Sequence, residues 1–342
     1  MIMKKTLLYF FCTAMLLVSL VACHNDKKNT KDKSKTTPVV TVKKNLLAEK
    51  YSRPRPGEFL RQVKPNRPAK TINIISYPIP NNIVIDTNSK DIENIWENIK
   101  PTETIDYMSS RIISIKSLHN DKYIYFLVKY PDAFPSETHK SMGWDYNENI
   151  YRQLGDREDM FVFKWSMSGN DVNLAFHRYD LLKPHIVDIW FWKAVRTNPA
   201  GYADDKMQII STAREEDRVK LKGAGDKQLY LYRKGDQGSA AYKIVLPLKY
   251  SGDIVSRFKI EKPTGSRADI KAKGFWHDGY WIIKFARLLD TGHADDVQFK
   301  IGNSYLFGVS LYEMSGGEIL KGTSQPLYRL GDVYDRLILK IK

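Results

Sequence analysis

Strand-length stretches of period-two apolar alternation recur from residue 71 to the end of this 342-residue chain, and they limit its fold more than any other feature. They occupy 71–76, 111–117, 123–129, 160–165, 186–193, 228–233, 241–247, 280–287, 304–311 and 336–341. Turn-forming residues separate them: Asn120-Asp121, Lys234-Gly235-Asp236, Asp278-Gly279 and Ser315-Gly316-Gly317. A single stretch, 91–99, carries a helical pattern, with Asp91 placed to cap its start. No internal repeat and no strand–helix alternation is present. The predicted architecture is therefore all-β, an antiparallel β-sandwich of immunoglobulin-like or jelly-roll type with a few short helices.

The N-terminal residues have a different composition. Lys4 and Lys5 precede an apolar run from Leu7 to Val21, the pattern of a secretory signal and short for a membrane span. The run ends in Leu20-Val21-Ala22-Cys23, which resembles the lipobox of bacterial lipoproteins, where the cysteine becomes the lipidated N-terminus. We therefore expect a signal peptide over 1–22 and a lipid anchor at Cys23. Residues 24–70 hold 14 Lys and Arg against 4 Asp and Glu with few large apolar side chains, the composition of a flexible basic tether. The chain's formal charge of +15 belongs mostly to this tether, because 71–342 contains 38 basic and 35 acidic residues. A nucleic-acid-binding domain would carry the excess on its folded face, so that partner class is excluded. A basic segment beside an acyl anchor is expected to lie against anionic lipid, with the domain in the periplasm of a bacterial cell envelope and the outer membrane slightly favoured.

The cysteine count limits the chemistry. Cys12 and Cys23 are the chain's two cysteines, and the first falls in the expected signal peptide. Disulfides within 71–342, cysteine-ligated zinc or iron–sulfur sites and a thiol nucleophile are excluded, as is covalent haem, for want of Cys-x-x-Cys-His. Any cofactor must be held without a thioether bond. Gly-x-Ser-x-Gly, His-Glu-x-x-His and P-loop motifs are also missing, so hydrolase and nucleotide chemistries have no positive support.

The stretch Asp188-Ile-Trp-Phe-Trp-Lys193 is an aromatic strand that must break at Asn198-Pro199 and Gly201. Its residue types suit either a core strand or a wall against a flat apolar ligand. Upstream, Asp91-Ile-Glu-Asn-Ile-Trp96 followed by Asn120-Asp121-Lys-Tyr-Ile-Tyr-Phe-Leu-Val128 resembles the opening of sandwich modules related to family 9 carbohydrate-binding modules. Three separated segments then agree in order with a second family: Glu158-Asp-Met-Phe-Val-Phe-Lys-Trp165; Val187 to Lys206; and Gly279-Tyr-Trp281 through Tyr305-Leu-Phe-Gly-Val-Ser-Leu-Tyr312. Over roughly residues 80–330 the chain resembles the haem-binding domain of ethylbenzene dehydrogenase gamma subunits and the related dimethylsulfoxide-reductase-type and cytochrome c-552-like proteins.

That resemblance implies a β-sandwich holding one haem b non-covalently, with electron transfer as its task and a c-type cytochrome or a molybdenum enzyme as redox partner. It also implies a methionine and a lysine as axial ligands. Lys321 is the nearest counterpart of the lysine, and Met142, Met167 and Met314 are candidates for the methionine. Where relatives carry Cys-His, this chain keeps His177 alone, and a histidine of the ribbon is replaced by Phe191. The expected cofactor set is His177 and Lys321 at the iron, with Met314 and His185 as further ligand candidates. Trp190 and Trp192 are expected to wall the porphyrin between the paired sheets, and Lys193 and Arg196 to pair its propionates. A haem-free sandwich binding a sugar or an envelope partner is the alternative, as is an accessory subunit holding haem only within a molybdenum enzyme. The pairs Asp204-Asp205 and Asp295-Asp296 suit turn capping or a hard cation, and turn capping is the expectation.

Overall fold

The computed structural model describes residues 67–106, 111–170, 172, 174, 183–214, 218–312 and 333–342. In chain order the strands are β1 (Thr71–Pro78), β2 (Thr102–Ile105), β3 (Ile112–His119), β4 (Tyr123–Pro131), β5 (Met142–Asp145), β6 (Ile150–Gln153), β7 (Met160–Ser166), β8 (His185–Lys193) and β9 (Asp204–Ser211). They continue with β10 (Val219–Lys222), β11 (Gln228–Gly235), β12 (Tyr242–Ile244), β13 (Ile254–Val255), β14 (Phe258–Ile260), β15 (Lys271–His277), β16 (Tyr280–Leu288), β17 (Ser304–Tyr312) and β18 (Arg336–Ile341). Every stretch expected to be a strand contains one, although 241–247 is cut to the three residues of β12. The expected helix over 91–99 is reduced to a single 3-10 turn, Asn94–Trp96, with no side-chain cap. Trp96 is fully buried there, and Lys284 Nζ donates to the Asp91 carbonyl at 2.5 Å and to Glu93 Oε1 at 2.9 Å. Tertiary anchoring at both points overrides a helical propensity that is weak over so few residues.

One 13-stranded sheet runs β10-β11-β9-β8-β7-β17-β18-β1-β3-β4-β16-β15, with β2 on β3. Most pairs are antiparallel, as expected. The exception is β1, which lies parallel to both of its neighbours, β18 and β3. This strand bridges the two halves of the sheet, which face one another as the leaves of a sandwich. Phe126 of β4 meets Phe163 of β7 at 5.1 Å between ring centroids, and Trp192 of β8 meets Trp281 of β16 at 4.9 Å. The remote edges are stitched by Ala203 N–H to Ile270 O at 3.1 Å and Ala272 N–H to Gly201 O at 3.0 Å. The ribbon breaks where expected: Asn198–Ala200 form a 3-10 turn, and Gly201 follows at φ 79°, a conformation that glycine adopts without a Cβ clash.

Closure at that edge depends on Gly274. Asn198 Oδ1 accepts from Trp192 Nε1 at 3.0 Å and from Gly274 N–H at 2.7 Å, while Asn198 Nδ2 donates to Gly274 O at 3.0 Å. The Trp192 ring thereby lies flat against β15, where a Cβ on Gly274 would collide with it. A small three-stranded sheet, β13-β5-β6, and the pair β12-β14 complete the described residues.

Candidate functional site

Strand alternation gives β8 two distinct faces. Asp188, Trp190 and Trp192 point between the leaves, whereas His185, Val187, Ile189, Phe191 and Lys193 point to the outer face. The outward residues join Met160 and Val162 of β7, Leu306 of β17, Ile338 of β18, and Val172 and Leu174 in a second apolar cluster. His185 lies at the edge of this cluster, 4% exposed. Its Nδ1 is 2.7 Å from the Lys183 carbonyl, an acceptor, which fixes the proton on Nδ1. Its Nε2 is buried and has no hydrogen-bond partner among the described residues. Desolvation holds the imidazole below the ordinary histidine value, so it is neutral at pH 7 and its Nε2 lone pair is uncommitted.

The opposite end of the outer face is charged. Asp204, opposite Phe191 across the β8–β9 ladder, is buried and takes Lys193 Nζ at 2.5 Å, Lys206 Nζ at 3.2 Å and the Arg267 guanidinium. Burial would raise the Asp204 carboxyl, but these three cations hold it well below the usual range. Burial lowers the Lys193 ammonium to about 8 despite Asp204 beside it. Glu158 accepts from the Arg196 side chain, from Val195 N–H at 2.6 Å and from Arg196 N–H at 3.1 Å. The rings of Phe191 and Tyr242 lie under Lys193 Nζ at 4.6 and 5.0 Å.

The sequence-predicted residues fall into three groups. His185 is on the outer face with a free ring nitrogen, while His177, Met314 and Lys321 lie outside the described residues. Lys193 and Arg196 are committed to Asp204 and Glu158, so pairing with propionates would mean stripping buried carboxylates of their partners; we correct that expectation. Trp190 and Trp192 are fully buried between the leaves. There, Trp190 contacts Trp165 at 5.3 Å and Phe126 at 5.8 Å, and Trp165 stacks on Phe307 at 4.6 Å. Ring-to-ring packing at these distances leaves no gap for a porphyrin between the sheets, so a slot for a flat ligand walled by these two indoles is also corrected. Of the other methionines, Met142 is in β5, and Met167 packs against the inter-leaf core.

Two groupings escaped sequence reasoning, although Asp204-Asp205 and Asp295-Asp296 each suit a hard cation on sequence alone. Asp188, Asp205 and Asp296 gather around Arg287 between the leaves, with Asp236 beside Asp205; Asp204 and Asp205 are strand residues facing opposite ways, not turn caps. The period-two rule across the Asp-Asp pair was the available signal. The second feature is an aromatic platform on β5-β6 and the loop before β13. Trp144 contacts Tyr151 at 4.8 Å and Tyr250 at 5.3 Å, and Tyr146 and Tyr250 are 66% and 54% exposed.

Comparison with known proteins gives one family match. The family model described as "Ethylbenzene dehydrogenase" matches residues 90–324. No curated protein matches. Among solved structures, a family 9 carbohydrate-binding module from Caldicellulosiruptor kristjanssonii, in complex with glucose, superposes with a TM-score of 0.37 at 10% identity, covering 80% of this chain and 96% of that one. A putative carbohydrate-binding protein from Bacteroides uniformis gives 0.34 at 11% identity, over 80% of this chain and 100% of the other.

Proposed function

This chain belongs to the ethylbenzene dehydrogenase family, and from that premise we propose that it is an envelope lipoprotein, anchored through Cys23, that holds one haem b and carries electrons between partner proteins. A c-type cytochrome or a molybdenum oxidoreductase is the partner class. The chain is no catalyst by itself in this reading.

The observation that carries the proposal is His185. A buried, neutral imidazole with one nitrogen fixed by a carbonyl and the other without a partner is the state in which histidine ligates iron. The surrounding surface suits a porphyrin edge: Val162, Val187, Ile189, Leu306 and Ile338 are apolar and buried. His185 Nε2 would ligate the iron, with His177, Lys321 or Met314 as the candidate for a second ligand. When bound, the haem supplies a reversible one-electron couple. The chain's own part is to keep the imidazole neutral, exclude water through the apolar face and fix the ring's orientation through the Lys183 carbonyl. Expression of the full chain with ample haem, followed by absorption spectroscopy, tests this. A Soret band at one haem per chain is expected, lost or shifted in His185→Ala. Colourless wild-type protein overturns the proposal.

A second reading rests on the exposed platform. Trp144, Tyr146, Tyr151 and Tyr250 present ring faces and hydroxyls of the kind that stack on and hydrogen-bond to sugar rings, and Tyr250 Oη is fixed by Asp253 Oδ1 at 2.9 Å. Under this reading the chain is a haem-free glycan-binding module. Quenching of tryptophan fluorescence by an oligosaccharide, lost in Trp144→Ala, would favour it; no quenching across a glycan panel would remove it.

A further inference from the structure

Four aspartates meet between the leaves, each from a different part of the chain. Asp188 is in β8, Asp205 is in β9 opposite Trp190, Asp236 follows β11, and Asp296 is in the connection between β16 and β17. All four are buried, with Asp188 and Asp205 at 0% exposure. One carboxylate oxygen each from Asp188, Asp205 and Asp296 lies within 4.8 Å of the other two. Like charges this close and this dry repel strongly unless something neutral or positive stands among them.

Protein partners cover only part of this need. Asp188 Oδ2 accepts from Arg287 at 2.8 Å, Val297 N–H at 3.1 Å and Trp190 Nε1 at 3.2 Å, and Asp296 Oδ2 accepts from Thr291 Oγ1 at 2.5 Å. Among the described residues the other oxygens of these two have no hydrogen-bond donor, Asp296 Oδ1 facing Arg287 only at 3.8 Å, and Asp205 and Asp236 have no partner but one another, a contact that needs a proton shared between two carboxyls. Asp205 is the independent pointer to a ligand: a fully buried carboxylate, aimed at the oxygens of Asp188 and Asp296, with no N–H or hydroxyl of the described residues meeting either of its own oxygens. Arg287 brings one positive charge against four carboxylates, and its guanidinium is further occupied by the Val297 carbonyl and the ring of Trp190 at 4.8 Å.

We propose that Asp188, Asp205 and Asp296, with Asp236 beside them, bind one calcium ion between the leaves of the sandwich. Calcium takes six to eight oxygens at about 2.3–2.6 Å, so two ligand atoms on opposite sides of one ion stand ~5 Å apart, and the observed oxygen spacing falls within that span. Unmet carboxylate oxygens, not nitrogen or sulfur, make up the donor set, which selects a hard cation. A cleft of about 430 Å³ lined by Met207, Lys234, Asp236, Ser266, His293 and Asp295 reaches the cluster at Asp236. The ion ties β8, β9 and the β16–β17 connection together from inside, at a place where no disulfide is available.

Terbium is the probe, because Trp190 donates directly to Asp188 and would sensitise its emission. In the full chain, tryptophan-excited terbium luminescence should appear on titration and be displaced by calcium, and the melting temperature should be higher in calcium than in excess EDTA. Asp205→Asn should weaken terbium and calcium binding at least about tenfold. It should nevertheless melt in EDTA at or above the wild-type temperature, because the amide is neutral where burial and three neighbouring carboxylates disfavour a charge; a merely structural carboxylate would give the opposite. Should Asp205→Asn fail to fold, Asp296→Asn serves in its place, and should both fail, the wild type's melting difference between calcium and EDTA decides. Absence of sensitised emission, identical melting with and without calcium, or wild-type affinity in the Asn variants would overturn the proposal. Those outcomes would mean that the carboxyls share protons instead.

Discussion

Asp204 and Asp205 are consecutive, chemically identical and both buried, yet their surroundings drive them in opposite directions. Asp204 faces outward into Lys193, Lys206 and Arg267, and its carboxyl is held well below the usual range. Asp205 faces inward; burial first, then Asp188, Asp296 and Asp236, push it well above that range. The same two causes push Asp236 and Asp296 up to about 7. Residue type and burial therefore do not decide what a buried carboxylate does. Strand parity does, by choosing which counter-charges it meets. Protein cations complete the outer cluster. The inner one is left with unmet oxygens, the signature of a site and not of a finished core.

The largest effect expected from this contrast is in Asp204→Asn. It leaves buried Lys193 and its neighbouring cations without their carboxylate and should cost about 3–5 kcal/mol in chemical denaturation. A loss under ~1 kcal/mol would mean that the outer cluster is solvated. The acid limb follows from the same residue. Because the folded Asp204 value lies below the unfolded one of about 3.9, its contribution is complete above about pH 4 and fades as pH falls through the folded value. The wild type should show this acid loss, and the Asn variant should lack that share of it.

Asp205→Asn in chelator sharpens the comparison by its sign. Removing one of four crowded carboxylates should leave stability unchanged or raise it by about 1 kcal/mol. Destabilisation comparable to Asp204→Asn would erase the distinction between the two faces.

Lys193 gives a smaller, titratable effect. Its folded value of about 8 lies below the unfolded value of about 10.4, so between these the folded chain binds fewer protons and this group's contribution raises stability as pH climbs. A side-chain nitrogen titration by NMR should place its midpoint near 8; a midpoint above 10 would show it solvated. The smallest loss is expected for His185→Ala, about 1 kcal/mol, the worth of its Nδ1 bond to the Lys183 carbonyl, because Nε2 makes no bond to a described residue that would be lost as well.

The sandwich was legible in the sequence because its central strands alternate large apolar residues over seven or more positions, as in Met160–Ser166 and Tyr280–Leu288. The strands that went unread have physical reasons. Strand β15, Lys-Ala-Lys-Gly-Phe-Trp-His, carries Gly274, which normally argues against a strand and is here required by Trp192. In β9 Asp205 stands where an inward apolar residue is expected, and Asp204 beside it faces out. Strands β5, β6, β13 and β14 are too short to establish a period. The turn Asn94–Trp96 shows the converse: a helical pattern cut to one turn by what Trp96 and Lys284 bind. At the site, the outward placement of His185 follows from alternation along β8. The state of its two nitrogens does not, because that depends on the Lys183 carbonyl and on packing from β7, β17 and β18, remote in sequence.

These two faces lead to different experiments, and the outer one carries the functional reading. The most direct measurement is the visible absorption spectrum of the full chain purified after expression with ample haem, beside His185→Ala treated identically. The account predicts a Soret band at one haem per chain in the wild type and its loss or displacement in the variant. A colourless wild type, or a spectrum that His185→Ala leaves untouched, would contradict it.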